Sequence, residues 1–407
     1  MASIDPIAPG PIAPDEPIAT PPRRYTLDGD ADVEARIERD QRLIAEAVTA
    51  VIDPARFVAL VMMGGYGRGE GGYVSIDGEP APYNDYDYFV VVANTDSAVR
   101  AALAQGLAEA AHRLESEVGV EVDFALLRAE RLRAAEFSLM NAEMRWGHRV
   151  VAGDQNVLSA MRPMPFHRLP PGEITRLMLN RGSLLLMNQQ RLQQGGLSAA
   201  EREVHFKYLF KAVLACGDAR LARFGRYHPS YPVKLERLQA GAGQAGSGGA
   251  AAGLPDADKF LELYQLAYRN KFHPDYGAFG HDSPADWQVR VVRAWLVTLR
   301  AFETHRRGRG FDGWNDYCRA SLGKGQSGNL PRNLAVTLRD FGARELLSRP
   351  GRSLRYPRER LISALPLLLS EPGSLLDPCV ANALAVTPQT SWRKAAQVFL
   401  QQWKRYA

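Results

Sequence analysis

Residues 25–160 predict a small mixed β-sheet backed by helices, and residues 165–407 predict an all-helical domain, so the chain is expected to be α+β. Three observations carry this. Short apolar runs bounded by glycine and aspartate lie in the first part, apolar residues at helical spacing fill the second, and near residue 165 the β-branched alternation stops. With 407 residues, 46% hydrophobic and 23% charged, the chain can hold two or three domains, and its composition excludes collagen and disorder throughout.

The elements follow in order. Residues 1–24 repeat a Pro-Ile-Ala theme that cannot bury a core and reads as an extended, mobile tail. From Asp32, DVEARIERDQRLIAEAVTAVI has helical spacing, and Asp53-Pro54 stops it. FVALVMMGG (57–65) reads as a buried strand running into glycines, DYDYFVVV (85–92) as a second strand, and 97–118 as an amphipathic helix. VEVDFALLR (120–128) is strand-like, with Glu121 and Asp123 on one face and Val122 and Phe124 on the other, and HRVVAG (148–153) is a short last strand. Helices are then expected from Glu173 to Gln194, and from Ser198, whose S-x-x-E with Glu201 is a capping box, to near Phe224-Gly225. After a low-complexity loop (240–253) come PDADKFLELYQLAYRN and helices at 284–307, 331–346, 357–369 and 391–405.

Several functions are excluded by what the chain lacks. No run of about 18 apolar residues occurs, and the N-terminus lacks the basic and apolar blocks of a signal peptide, so neither membrane spanning nor export is expected. Cys216, Cys318 and Cys379 are odd in number and unpaired in spacing, which signals neither a disulfide framework nor a zinc site and suits a reducing cytoplasm. The eight histidines show no ligand spacing. A net charge of +5 permits a phosphate-bearing ligand without demanding nucleic acid, and no DNA-binding motif is present. The arginines at 306, 307 and 309 read as a solvated helix C-terminus.

The chemistry is carried by parts in a fixed order: Gly64-Gly65-Tyr66-Gly67-Arg68-Gly69-Glu70-Gly71 after a strand, Asn84-Asp85-Tyr86-Asp87 opening another, and Asp123 within a third. Consecutive glycines let backbone N–H groups approach phosphate oxygens, with Tyr66 beside them and Arg68 able to add a bidentate contact. A period of two puts Asp85 and Asp87 on one face, where two like charges call for a hard cation such as Mg²⁺ or Mn²⁺. A third carboxylate on a neighbouring strand, Asp123 or Glu121, completes a two-metal site suited to in-line nucleotidyl transfer. Glu70 reads as a structural partner of Arg68 or of backbone.

With these residues in place, the order G-G-Y-G-R-G-E, N-D-Y-D and V-D-F over residues 55–155 resembles the DNA polymerase β-like nucleotidyltransferase superfamily. The motif form is similar to that of the bacterial signal-protein uridylyl- and adenylyltransferases. The resemblance implies that Gly64 and Gly65 hold phosphates through the backbone, that Asp85 and Asp87 bind both metals, and that Asp123 binds the catalytic metal and activates the acceptor. It also implies a helical domain closing over the nucleotide. Two departures stand out: Tyr66 where the superfamily often has serine, and GGYVSIDGEPAPY inserted before Asp85 as a hairpin or flap.

A second signal lies in the helix after Ser198. Lys207, Lys211 and Asp218 fall within roughly 40° of one another on an otherwise apolar helix, at about 100° per residue. Lysine is rare in this chain, so Lys207 and Lys211 are candidates for the β- and γ-phosphates, Arg181 is a weaker one, and a plain solvated face is the alternative. The expected function is metal-dependent transfer of an NMP from an NTP to an acceptor hydroxyl on a protein, a small molecule or an RNA end. The alternatives are a toxin or defence enzyme acting on tRNA or making a nucleotide messenger, and a non-catalytic nucleotide-binding scaffold.

Overall fold

The computed structural model describes residues 24–76, 78–242, 257–319, 329–343 and 354–406. The expected tail, apart from Arg24, and the low-complexity loop from residue 243 onward lie outside the described residues. The chain divides into two compact units. The first runs to Leu169 and takes in Tyr227–Glu236 and Tyr268–Asp275, and the second comprises Pro170–Arg226, Arg237–Ala267 and the chain from Tyr276 onward. The α+β class expected from the sequence is what the chain adopts, with a mixed sheet early and helices after it.

In the first unit, α1 (Ala31–Val51) starts at Asp30, whose carboxylate accepts from the amides of Asp32 and Val33. Its apolar spacing turns Val33, Ile37, Ile44 and Val48 inward. There follow β1 (Phe57–Met62), a single helical turn α2 (Gly64–Gly67), β2 (Tyr73–Ile76), β3 (Glu79–Pro82), β4 (Tyr86–Val92), α3 (Ser97–Val118), β5 (Val122–Arg128), α4 (Leu139–Trp146) and β6 (Arg149–Gly153). The main sheet has the order β5-β4-β1-β6, and β2 and β3 pair as a separate hairpin over the inserted stretch. β4 runs parallel to β5, and β1 is antiparallel to both β4 and β6. A parallel pair needs a crossover, which α3 supplies.

Alternation along β4 decides where the open face lies. The Tyr86 and Tyr88 hydroxyls donate to Asp40 and Gln41 of α1 at 2.8 and 2.6 Å, and Val90 and Val92 join the same core with Leu103, Leu107 and Leu114 of α3. One face of β4 is therefore committed to the helices. A period of two then turns Asp87 to the other face.

The second unit is built on α5 (Pro171–Leu192) and α6 (Ala199–Ala222). The Ser198 and Glu201 side chains form the expected capping box at the start of α6. α7 (Tyr231–Ala242) gives its first residues to the first unit, and α8 (Ala257–Phe272) gives its last. α9 (Pro284–Arg307) lies against α5 so closely that a Cβ on Gly182 would come within 2.4 Å of the Trp295 ring, whose indole N–H donates to the Met178 carbonyl at 3.2 Å. α10 (Trp314–Arg319), α11 (Leu330–Phe341), α12 (Pro357–Ser370), α13 (Pro378–Leu384) and α14 (Trp392–Tyr406) complete it. α4, α7, α10 and α13 are not among the helices expected from the sequence. These helices are short, or, as in α7, carry proline at the second position and glycine near the end, so their periodicity is weak.

Candidate metal centre

Asp87 and Asp123 are direct register partners on the parallel strands β4 and β5. Asp85 stands just before β4, two residues ahead of Asp87 and on the same side. The three carboxylates each offer an oxygen within 4.8 Å of the others. Asp85 and Asp87 are half-buried and Asp123 is exposed. Partial burial, then the charge of Asp85, then that of Glu115 hold the Asp123 carboxyl above its ordinary range. A donor set made wholly of carboxylate oxygen, with its charges held together, fits a hard divalent cation such as Mg²⁺ or Mn²⁺. Glu121 is outside the cluster and contributes its backbone carbonyl, which accepts from the Tyr86 amide at 2.9 Å.

The glycines after β1 fit tightly against this centre. Gly64 has φ +67°, and a Cβ there would lie 2.8 Å from the Asp87 carboxylate. Backbone conformation and space both demand glycine. A Cβ on Gly65 would meet the Glu70 carbonyl at 2.9 Å. The Met63 amide donates to the Asp87 carbonyl at 2.8 Å, so the loop leaves β1 alongside the acid. The first amides of a helical turn have no partner within the turn, and here that turn begins at Gly64.

The intervening side chains turn away from a ligand, which corrects two expectations. Tyr66 is 1% exposed, and its hydroxyl is fully engaged with backbone groups of Gly72, Tyr83 and Asn84. Only its backbone remains for a phosphate. The Arg68 side chain is 7% exposed and pairs with Glu143 at 3.6 Å, so it is held inside the unit rather than presented as a bidentate contact. Burial between α4 and the loop selects Glu143 as its partner, and the Tyr227 hydroxyl donates to the same carboxylate. Glu70 is the structural partner expected of it: it is buried, lies near Arg68, and accepts from the Tyr231 amide at 3.1 Å.

Lys207 and Lys211 are half-buried on α6 in the second unit, with Asp218 buried farther along the same helix, and Arg181 is on α5 of that unit. No lysine precedes Lys207 in the chain. Among the described residues, the lysines of the first unit are Lys234 and Lys271, which the sequence reading does not single out. Their nitrogens lie 4.3 and 4.6 Å from the centre of the Tyr231 ring, and Lys234 is 1% exposed. The Lys271 carbonyl and the Asn84 side chain crowd the same glycine, Gly72, which places the end of α8 beside the approach to Asp85. The rarity of lysine was the signal that could have found them.

No family model, curated protein or solved structure matches this chain. No helix among the described residues is long and apolar enough to cross a membrane.

Proposed function

We propose that the chain is a metal-dependent nucleotidyltransferase that moves an NMP from an NTP to an acceptor hydroxyl and releases pyrophosphate. The observation that carries this reading is the convergence of Asp85, Asp87 and Asp123, with Gly64 pressed against Asp87. Strand, double glycine, paired acids and a third acid on the neighbouring strand is also the order by which the sequence resembles polymerase β-like nucleotidyltransferases.

Asp85, Asp87 and Asp123 would hold Mg²⁺ or Mn²⁺, which when bound would supply positive charge for the triphosphate and the acceptor hydroxyl. Asp123, set opposite Asp87 by the β4–β5 register, takes the acceptor proton at a carboxylate oxygen. A bond forms between the acceptor oxygen and the α-phosphorus. The bond from the α-phosphorus to the bridging oxygen breaks, and its electron pair leaves with pyrophosphate. The Gly64-Gly65 backbone lets the phosphates approach closely. Lys271, half-buried, is a counter-charge on the first unit, Lys234 is enclosed beside the Tyr231 ring, and Lys207 and Lys211 are a further pair on the second unit.

The test is incubation with each α-³²P-labelled NTP, Mg²⁺ or Mn²⁺ and a cell lysate, with protein, RNA and small-molecule fractions resolved and Asp87→Ala run in parallel. Label that enters one fraction and disappears in Asp87→Ala supports transfer and names the acceptor class. Transfer that survives Asp87→Ala undiminished, or a wild type that binds NTP without turning it over, overturns it.

A further inference from the structure

Of the three acids, Asp87 and Asp123 are fixed by the β4–β5 ladder, but Asp85 precedes its first pair, Tyr86 with Val122. Something else must hold Asp85 in place. The residues on either side of it both touch one side chain. The Tyr66 hydroxyl accepts from the Asn84 amide at 3.2 Å, and the Tyr66 ring meets the Tyr86 ring edge-on at 5.1 Å between centroids. The same hydroxyl accepts from the Tyr83 amide at 3.0 Å and donates to the Gly72 carbonyl at 2.6 Å. Gly72 and Tyr83 are the two ends of the β2–β3 hairpin, where the Tyr83 amide also donates to the Gly72 carbonyl at 3.3 Å, so one oxygen braces the neck of the insertion from which Asp85 emerges. A phenol has one proton to donate and two lone pairs, and all are used.

We infer that Tyr66 is a positioning residue that sets Asp85 against Asp87 and Asp123 by clamping the hairpin neck, an inference that rests on the metal-centre reading above. Its ring starts two residues after Gly64, so the loop that carries the glycines also anchors the acid ahead of β4. The insertion can then vary at its tip without moving the carboxylate at its base.

Tyr66→Phe keeps the ring and removes the three hydrogen bonds. Tyr88→Phe is the matched control, because Tyr88 follows Asp87 on β4, and this variant likewise loses a buried hydroxyl bond, to Gln41 at 2.6 Å. Mn²⁺ is titrated into each metal-free protein, with free ion read by electron paramagnetic resonance and folding by thermal melting. Mn²⁺ affinity is expected to fall about tenfold or more in Tyr66→Phe and less than about twofold in Tyr88→Phe, a loss typical of groups that orient metal ligands. Unchanged affinity in Tyr66→Phe, or equal loss in both variants, overturns the positioning role. A wild type that takes up no Mn²⁺ overturns the metal centre itself. The wild type also supplies a check that needs no variant: the Tyr83 and Asn84 amides should exchange slowly with solvent and more slowly once Mn²⁺ is added. Exchange as fast as at the hairpin tip, Gly78, overturns the clamp.

Discussion

Asp87 faces Asp123 across a parallel register that runs unbroken from Tyr86 and Val122 to Val92 and Arg128. Neighbouring strands lie about 4.8 Å apart, so the backbone positions of the two acids cannot separate without breaking the ladder. With Asp85 beside them, negative charge is concentrated by the fold itself.

That concentration predicts opposite signs with and without metal. The raised proton affinity of Asp123 means that ionising it costs the metal-free fold stability, which is present at low pH and lost as pH rises through the folded value. Asp123→Asn should therefore melt at or above the wild-type temperature in a chelating buffer near neutral pH. In Mg²⁺ the wild type should gain stability that the variant does not, and label transfer should fall by on the order of 10²-fold or more. A variant that melts lower than wild type in chelator would contradict the repulsion.

The approach of Gly64 to Asp87 can be separated from backbone strain. Gly64 and Gly78 both have positive φ, but a Cβ at Gly64 would press on Asp87, whereas one at Gly78 would meet nothing within 4 Å. Both alanine variants should lose about 1–2 kcal/mol for the left-handed conformation. Gly64→Ala alone should weaken Mn²⁺ binding. Equal Mn²⁺ affinity in the two variants would show that the glycine serves the backbone only.

Lys271 and the lysine pair on α6 make distinguishable demands. If Lys271 serves the phosphates as proposed, Lys271→Met should raise the KM for NTP severalfold and leave Mn²⁺ affinity of the nucleotide-free protein unchanged. Lys207→Met and Lys211→Met, measured beside it, assign the α6 pair in the same terms. A drop in kcat with KM unchanged would instead place the charge in the transition state.

A pH effect is expected in the second unit, away from the acids. His205 is fully buried on α6 with Nε2 3.0 Å from the Pro284 carbonyl, and burial, reinforced by Arg191 and Arg202, holds its pKa down to about 4. Below about pH 6.5 the unfolded chain takes up a proton that the native ring refuses until about pH 4, so stability falls as pH falls through that window. The melting temperature should drop between about pH 7 and about pH 4.5, and His205→Gln should make the slope shallower. An identical slope in the variant would remove His205 as the cause.

How far sequence alone reaches is visible residue by residue. Asp85, Asp87 and Asp123 were legible because a period of two is a local property, and the apolar neighbours on β4 and β5 declare which side is buried. Tyr66 and Arg68 were not, because a glycine-rich run announces backbone freedom but says nothing of where the side chains between the glycines turn. Lys234 and Lys271 reach the first unit only through tertiary folding, from positions 65 and 102 residues beyond Leu169. The helices named from the sequence are long and periodic. Those it passed over, such as the six residues of α10, are too short to show a period.

The excursion of the chain between Leu169 and Tyr227 sets an order of synthesis. When residue 169 leaves the ribosome, every strand of the sheet and all three aspartates have been made, yet Glu143 lacks the Tyr227 hydroxyl and Glu70 lacks the Tyr231 amide. The first unit becomes whole only after Asp275 has emerged, with much of the second unit already extruded. A truncation at 169 would thus preserve every acid and still deliver an unfinished domain, and a nascent chain passes through that state each time the protein is made.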